Sequence, residues 1–166
     1  MIRKHSFIAL VIILGIFISC DNDGITITEI EKLDDAIERW ESNKSKDYSF
    51  IYEEQCFCPY FGKVEVIVFA DTIFALKNPE TGEDFTIETG NGEEKLIDVY
   101  PDYVINIDEL FVTLKEASLK ADEMEGSYDG QIGYPKEVSI DYYKDAVDDE
   151  ITYLISNYQV LSLTNN

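Results

Sequence analysis

The first residues that could do chemistry are Cys56 and Cys58, which stand one residue apart in EEQCFCPYFGKVEV (residues 53–66). Two thiols at this spacing can form a local disulfide, exchange electrons with other thiols, or bind a metal ion. A structural zinc site needs further Cys or His ligands, and the chain offers no second Cys pair. The spacing therefore leaves a disulfide, thiol exchange, free thiols and metal binding open, and it disfavours zinc.

Carboxylates are the second group of candidates, because the chain has 34 Asp and Glu residues against 13 Lys and Arg. The loop sequence KDAVDDE supplies the candidates for calcium binding, which are Asp145, Asp148, Asp149 and Glu150. Their spacing does not match the helix–loop–helix calcium loop and lacks its central Gly. A solvated acidic turn is the simpler interpretation. We assign no catalytic residue, because any rule for paired carboxylates is met by chance in so acidic a chain.

The amino-terminal sequence MIRKHSFIALVIILGIFISC predicts the compartment. Two basic residues precede an apolar run, residues 7–18, which is shorter than the roughly 20 residues of a membrane-spanning helix. The run ends in Ser19-Cys20, which is typical of a bacterial lipoprotein signal peptide, although the two residues before Ser19 depart from the usual pattern. We predict cleavage before Cys20 and acylation of Cys20, which would anchor the protein stably in a membrane. An uncleaved anchor is the alternative.

This prediction divides the chain into a signal peptide (residues 1–19), an acylated Cys20 with a short tether (20–28), and a single α+β domain (29–166). Cleavage changes the formal charge from −21 to −23, with 11 basic and 34 acidic side chains remaining, so we expect no nucleic-acid partner. It also removes His5, the single His, which excludes a Ser-His-Asp triad and a Cys-His pair. No Gly-rich phosphate-binding motif occurs, and we predict no cofactor.

In an oxidising envelope, a bond between Cys56 and Cys58 is the expected state of the two thiols. Residues i and i+2 of a strand lie near the upper end of the roughly 4.4–6.8 Å separation of Cα atoms that a disulfide accepts, so the strand must bend there. Closing so small a ring gains only about 1.6 kcal/mol of chain entropy. A local staple in a turn is therefore favoured, and thiol exchange stays open because a strained bond is easily reduced.

Periodicity predicts the order helix, strands, helix, strands. Thr28 and Glu31 form a capping box for a first helix that runs to about residue 42, and Asn106 with Glu109 caps a second. Runs of strands joined by short turns predict an antiparallel sheet covered on one face by the two helices, an α+β fold. Alternation places strands near residues 47–56, 63–70, 73–77, 85–88, 123–128, 137–143 and 151–161.

Eight aromatic residues fall on or beside these strands: Tyr48, Phe50, Tyr52, Tyr128, Tyr142, Tyr143, Tyr153 and Tyr158. Aromatic side chains favour a pleated, half-buried surface, which is the simpler explanation. The alternative is a tyrosine-lined sheet face that binds a protein, peptide or glycan, since tyrosine offers rigid contact area with a polar tip.

An ordered set of motifs resembles a family of uncharacterised bacterial lipoproteins of Bacteroidota type, domain of unknown function 6174. The resemblance covers about residues 35–160, and it implies a location in the cell envelope, with no catalytic residues. The acids directly after Cys20 resemble an export signal to the cell surface. The motifs are YSFIY (48–52), CFCPYFGKVEV (56–66), IDELF (107–111), GYP (133–135), SIDY (139–142) and DDEITY (148–153).

We therefore expect a lipid-anchored envelope protein, at the outer membrane or the cell surface, whose domain binds a partner and does not catalyse. The alternative is a histidine-independent hydrolase, or a thiol-exchange enzyme that uses Cys56 and Cys58. The hydrolase would need paired carboxylates, and the thiol-exchange enzyme would need an accessible cysteine pair.

Overall fold

The computed structural model describes residues 25–59 and 61–162, so the predicted signal peptide and Cys20 lie outside the described residues. Among the described residues, no helix is both long and apolar enough to cross a membrane. The elements are α1 (Ile27–Asn43), β1 (Tyr48–Cys56), β2 (Val64–Phe69), β3 (Thr72–Lys77), β4 (Thr86–Thr89), β5 (Gly92–Lys95), α2 (Leu96–Val99), α3 (Ile107–Lys120), β6 (Glu123–Tyr128), β7 (Pro135–Asp141) and β8 (Ile151–Val160).

The two long helices begin at side-chain caps. Asn106 caps α3 as predicted, because its side chain accepts a hydrogen bond from the Glu109 N–H and the Glu109 side chain accepts one from the Asn106 N–H. The predicted cap of α1 is wrong by two residues. Thr26 is the N-cap and accepts a hydrogen bond from the Glu29 N–H at 3.3 Å. Thr26 and Glu29 have the same spacing as Thr28 and Glu31, so the motif alone does not distinguish the two starts.

Six strands form one antiparallel sheet in the order β3-β2-β1-β8-β7-β6. The prediction of a mixed helix and strand fold with a large antiparallel sheet is confirmed. The predicted order of elements omits β5 and α2, and it does not separate the β4–β5 hairpin from the main sheet. Both omissions have one cause: β5 is the polar sequence GEEK and α2 has four residues, so neither is long enough to show periodicity.

One face of the main sheet packs into the hydrophobic core together with residues of α1 and α3. Alternate residues of β2, namely Val64, Val66 and Val68, are buried, as the strand periodicity predicts. The core also contains Leu33, Ala36 and Trp40 of α1 and Ile107, Leu110, Phe111, Leu114 and Ala117 of α3.

Trp40 is fully buried in this core. Its ring contacts Tyr48 edge-on with centroids 5.6 Å apart, and it lies 6.4 Å from Phe111 of α3. The indole N–H donates a hydrogen bond to Asp108 Oδ1 at 2.9 Å, and Lys44 forms an ion pair with the same oxygen at 2.6 Å. The buried ring and its satisfied N–H thereby fix α1 against α3 and β1.

Candidate functional site

The cysteine pair lies where β1 ends. Residues 52, 54 and 56 alternate along the strand and therefore share the side that faces the core. The chain leaves the extended conformation at Phe57, and Cys58 comes back towards Cys56, with Cα atoms 5.2 Å apart and the sulfur atoms in contact. The arrangement suits a disulfide, and the oxidation state of the pair in the cell stays a prediction.

Glu54 was not singled out from the sequence, and the structure places its carboxylate against both sulfur atoms. Glu54 Oε1 lies 3.4 Å from Cys56 Sγ and 3.7 Å from Cys58 Sγ. The other oxygen, Oε2, accepts a hydrogen bond from the Tyr52 hydroxyl at 2.5 Å. Strand alternation was the available signal, because Glu54 is two residues before Cys56 and must share its face.

Burial raises the pKa of the Glu54 carboxyl above its ordinary value, and the hydrogen bond from Tyr52 partly offsets this rise. Burial, followed by the hydrogen bond to Glu54, raises the pKa of Tyr52, so its hydroxyl keeps its proton and remains a donor. Tyr153, which pairs with Glu54 across β1 and β8, is also buried, and burial raises its pKa. The carboxylate thus sits among neutral phenols.

These three side chains could also hold a metal ion. In the described part of the chain, the carboxylate of Glu54 and the sulfur atoms of Cys56 and Cys58 offer ligand atoms that all lie within 4.8 Å of one another. A reduced pair would offer two thiolates and one carboxylate, one short of the four ligands of a structural zinc site. In the disulfide-bonded pair neither sulfur is a thiolate, so a metal site here would require prior reduction of the pair.

The acidic loop between β7 and β8 (residues 145–150) contains the calcium candidates. Asp145, Asp148 and Glu150 are exposed, whereas both carboxylate oxygens of Asp149 are buried and accept no hydrogen bond from the described residues. No three carboxylates of this loop bring their oxygens within 4.8 Å of one another. The carboxylates of the described loop therefore do not cluster by themselves, and the calcium hypothesis stays untested.

The eight aromatic residues do not share one surface. Tyr48, Phe50, Tyr52 and Tyr153 are buried in the core. Tyr128, Tyr142 and Tyr158 are partly buried against the core, and Tyr143 is 68% exposed. Most of these side chains therefore serve packing, and any ligand-binding face of the sheet has to be formed by other residues.

We define the outer face as the side of the main sheet opposite the core, and it carries an apolar strip. Ile51 on β1 is the middle of the strip. Ile67 on β2 pairs with Ser49, two residues before Ile51, and Leu154 on β8 pairs with Glu53, two residues after it. The strip therefore runs diagonally across the three strands. Phe69 contacts the 70% exposed Phe74 edge-on at 5.3 Å. The strip comprises Ile51, Ile67, Phe69, Phe74 and Leu154, which do not belong to the core cluster.

Acidic side chains flank this strip. Glu53 and Glu65 lie on the outer face of β1 and β2, and registers place Glu137 beside Leu154 and Glu125 beside Ser139. The neighbouring lysines are engaged with acids: Lys63 lies 3.9 Å from Glu53, and Lys77 lies 2.5 Å from Asp84. The outer face is therefore apolar along its diagonal and negatively charged around it.

The fold and site define a mixed helix and strand domain that carries a cysteine pair beside a carboxylate. Residues 32–160 match the model of a family of unknown function (DUF6174), and since this is more than half of the chain, the chain belongs to that family. No curated protein and no solved structure matches the chain. The family assigns neither a catalytic nor a binding role, and the lipoprotein and Bacteroidota predictions stay predictions.

Proposed function

We propose that this chain is a lipid-anchored protein of the bacterial outer membrane, of Bacteroidota type, whose domain binds another protein or a peptide. The anchor rests on the basic start, the apolar run and the Ser19-Cys20 junction. Helix α1 begins at Ile27, so an acylated Cys20 would hold the domain within about 25 Å of the membrane surface.

The observation that carries the binding role is the apolar strip on the outer face. On this proposal the two long helices cover the opposite face of the sheet, and a partner covers the strip. Phe74 is 70% exposed and packs edge-on against Phe69, which gives the strip a rigid aromatic end. The other four residues of the strip are partly exposed. Apolar side chains that remain partly exposed on one face and are rimmed by polar residues are typical of interaction sites.

The flanking charges define the chemistry of the partner. Glu65 pairs with Ile51, Glu53 and Glu137 both pair with Leu154, and Glu125 lies farther out on β6. The whole chain has a formal charge of −21. A partner with basic side chains around an apolar centre would complement this surface, whereas a neutral glycan would leave the carboxylates uncompensated. Electrostatic complementarity of this kind accelerates association and weakens as salt increases.

A peptide panel tests this proposal on the full chain purified in detergent. We expect a peptide of alternating Lys and Phe to bind, and an alternating Glu and Phe peptide of equal length not to bind, with affinity falling as salt rises. Phe74→Ser should weaken binding, while the control Leu119→Ser, at an 84% exposed site on α3, should not. Equal effects of the two variants, or equal affinity for both peptides, would contradict a site on the outer face.

A further inference from the structure

We propose that Cys56 and Cys58 form a redox-active disulfide that exchanges with a dithiol of another protein, and that Glu54 carries a proton in this exchange. This activity is separate from binding on the outer face, because the three side chains lie at the end of β1 on the core-facing side.

The geometry supplies a proton carrier at the reacting atoms. One oxygen of Glu54 is held by the Tyr52 hydroxyl at 2.5 Å, and the other lies 3.4 Å from Cys56 Sγ and 3.7 Å from Cys58 Sγ. A single carboxyl oxygen therefore reaches whichever sulfur leaves during exchange. A purely structural disulfide does not need a carboxyl group facing both of its sulfur atoms.

The pair is also accessible to a second protein. Cys56 and Cys58 are both partly exposed, and the residue between them, Phe57, is 79% exposed. An attacking thiol needs access to one sulfur, and the exposed ring gives a partner an apolar contact at the site of attack. The small ring closed by the two cysteines stabilises the fold only slightly, so opening it leaves the rest of the domain intact.

The surroundings of Glu54 favour its role as an acid. The groups that face it are the phenol of Tyr52 on the same strand and that of Tyr153 on β8, while Tyr103, from the segment before α3, interacts with Tyr52. Lys63, at the end of the adjoining loop, pairs with Glu53. Burial raises the pKa of the Glu54 carboxyl, which extends the pH range in which it holds a proton to donate.

Exchange with a partner that has two thiols is balanced in atoms and electrons. One partner thiol loses its proton to solvent and attacks the sulfur of one of the two cysteines. The Cys56–Cys58 bond breaks as a mixed disulfide forms with the partner. The cysteine thiolate that leaves takes the proton of Glu54. The second partner thiol then gives its proton to the Glu54 carboxylate and attacks the partner sulfur. The mixed disulfide breaks, and the remaining cysteine thiolate takes a proton from solvent. Two electrons and two protons have moved from the partner to this chain.

The test measures reduction of the full chain, purified in detergent, by dithiothreitol between pH 4 and 9. Alkylation after an acid quench, read by mass spectrometry on the peptide that contains Cys56 and Cys58, separates this pair from Cys20. Rates are divided by the fraction of dithiothreitol thiolate at each pH. In the wild type we expect this corrected rate to fall as pH rises through the pKa of Glu54, because the deprotonated carboxylate has no proton to donate.

Three variants decide the outcome. Glu54→Gln keeps an acceptor for the Tyr52 hydroxyl, and it should lower the corrected rate at acidic pH about tenfold or more and abolish its pH dependence. Tyr52→Phe removes the hydrogen bond that lowers the pKa of Glu54, so the inflection should move to higher pH. Glu53→Gln, which changes the neighbouring carboxylate on the outer face, should match the wild type.

Several results would overturn the proposal. A Glu54→Gln rate and pH profile equal to the wild type would show that the carboxyl group takes no part. An equal loss in Glu53→Gln would point to a general effect of charge. If the reduced wild type bound one equivalent of zinc and Glu54→Gln did not, the three residues would belong to a metal site. A Cys56–Cys58 pair that does not form a disulfide in an oxidising glutathione buffer would also refute it.

Discussion

Among the glycines that the structure describes, Gly133, in the loop between β6 and β7, is predicted to be the one at which substitution destabilises the fold most. Its φ of 101° lies in the region that L-residues rarely adopt. A Cβ atom there would lie 2.4 Å from the Ala36 carbonyl oxygen and 2.7 Å from the Trp40 backbone N. Both neighbours are backbone atoms of α1, so the clash can be relieved only if the helix or the loop moves.

The expected cost of Gly133→Ala combines two contributions. Backbone strain at such a φ costs roughly 1–3 kcal/mol. Overpacking against α1 costs roughly another 1–3 kcal/mol. We therefore expect a loss of at least about 2 kcal/mol in the free energy of unfolding, measured by urea denaturation as a lower midpoint at unchanged slope.

Two other glycines separate the contributions. Gly82 has a positive φ of 73° and open space where a Cβ atom would lie, so Gly82→Ala should show the strain alone. Gly130, in the same loop as Gly133, has neither a positive φ nor a neighbour within 4 Å of a Cβ position, and Gly130→Ala should be neutral or slightly stabilising. A Gly133→Ala variant as stable as Gly130→Ala would refute the packing of this loop against α1.

Four further outcomes are expected. Cys20→Ala should move the protein from the detergent phase to the aqueous phase; unchanged partitioning would contradict the lipid anchor. Protein purified from an oxidising compartment should show no free thiol at Cys56 and Cys58 before reduction, and replacing both by Ser should lower stability by no more than about 2 kcal/mol. Hydrogen bonds from two lysines lower the pKa of Asp84 to about 2. The stabilising contribution of Asp84 is therefore present above its ordinary pKa and is lost as pH falls towards 2. Asp84→Asn should make the free energy of unfolding depend less on pH at the acid end of the range. Calcium and magnesium should change the melting temperature equally, because the acidic loop (145–150) does not bring three carboxylates together; a rise specific to calcium would contradict this.

Local patterns were sufficient to predict the two long helices and most strands, although not the first residue of α1. Asn106 and Glu109 cap α3 as their spacing predicts, since both partners of a capping box lie within one turn. The alternation of Val64, Val66 and Val68 identifies the buried side of β2 for a similar reason, because neighbours on one strand face are two residues apart. Such features need no information from distant parts of the chain.

The apolar strip of the outer face depended on contacts between distant residues. The pairing of β1 with β2 and β8 places Ile51, Ile67 and Leu154 in one diagonal strip, although they come from three separate segments. Periodicity assigns each of them to a strand face, but only the register between strands decides which neighbours they have. For the same reason the burial of Tyr48 and Tyr153 was not evident from their positions on strands.

Composition and motifs alone establish the acidity, the cysteine spacing and the candidate lipidation residue, because these are properties of the covalent chain. The environment of the cysteines is a property of the folded molecule. The sharp bend after Cys56 turns Cys58 back, and the hydrogen bond from Tyr52 orients Glu54 towards both sulfur atoms. The burial that raises the pKa of Glu54 comes from the packing of neighbouring segments around it, which no local pattern encodes.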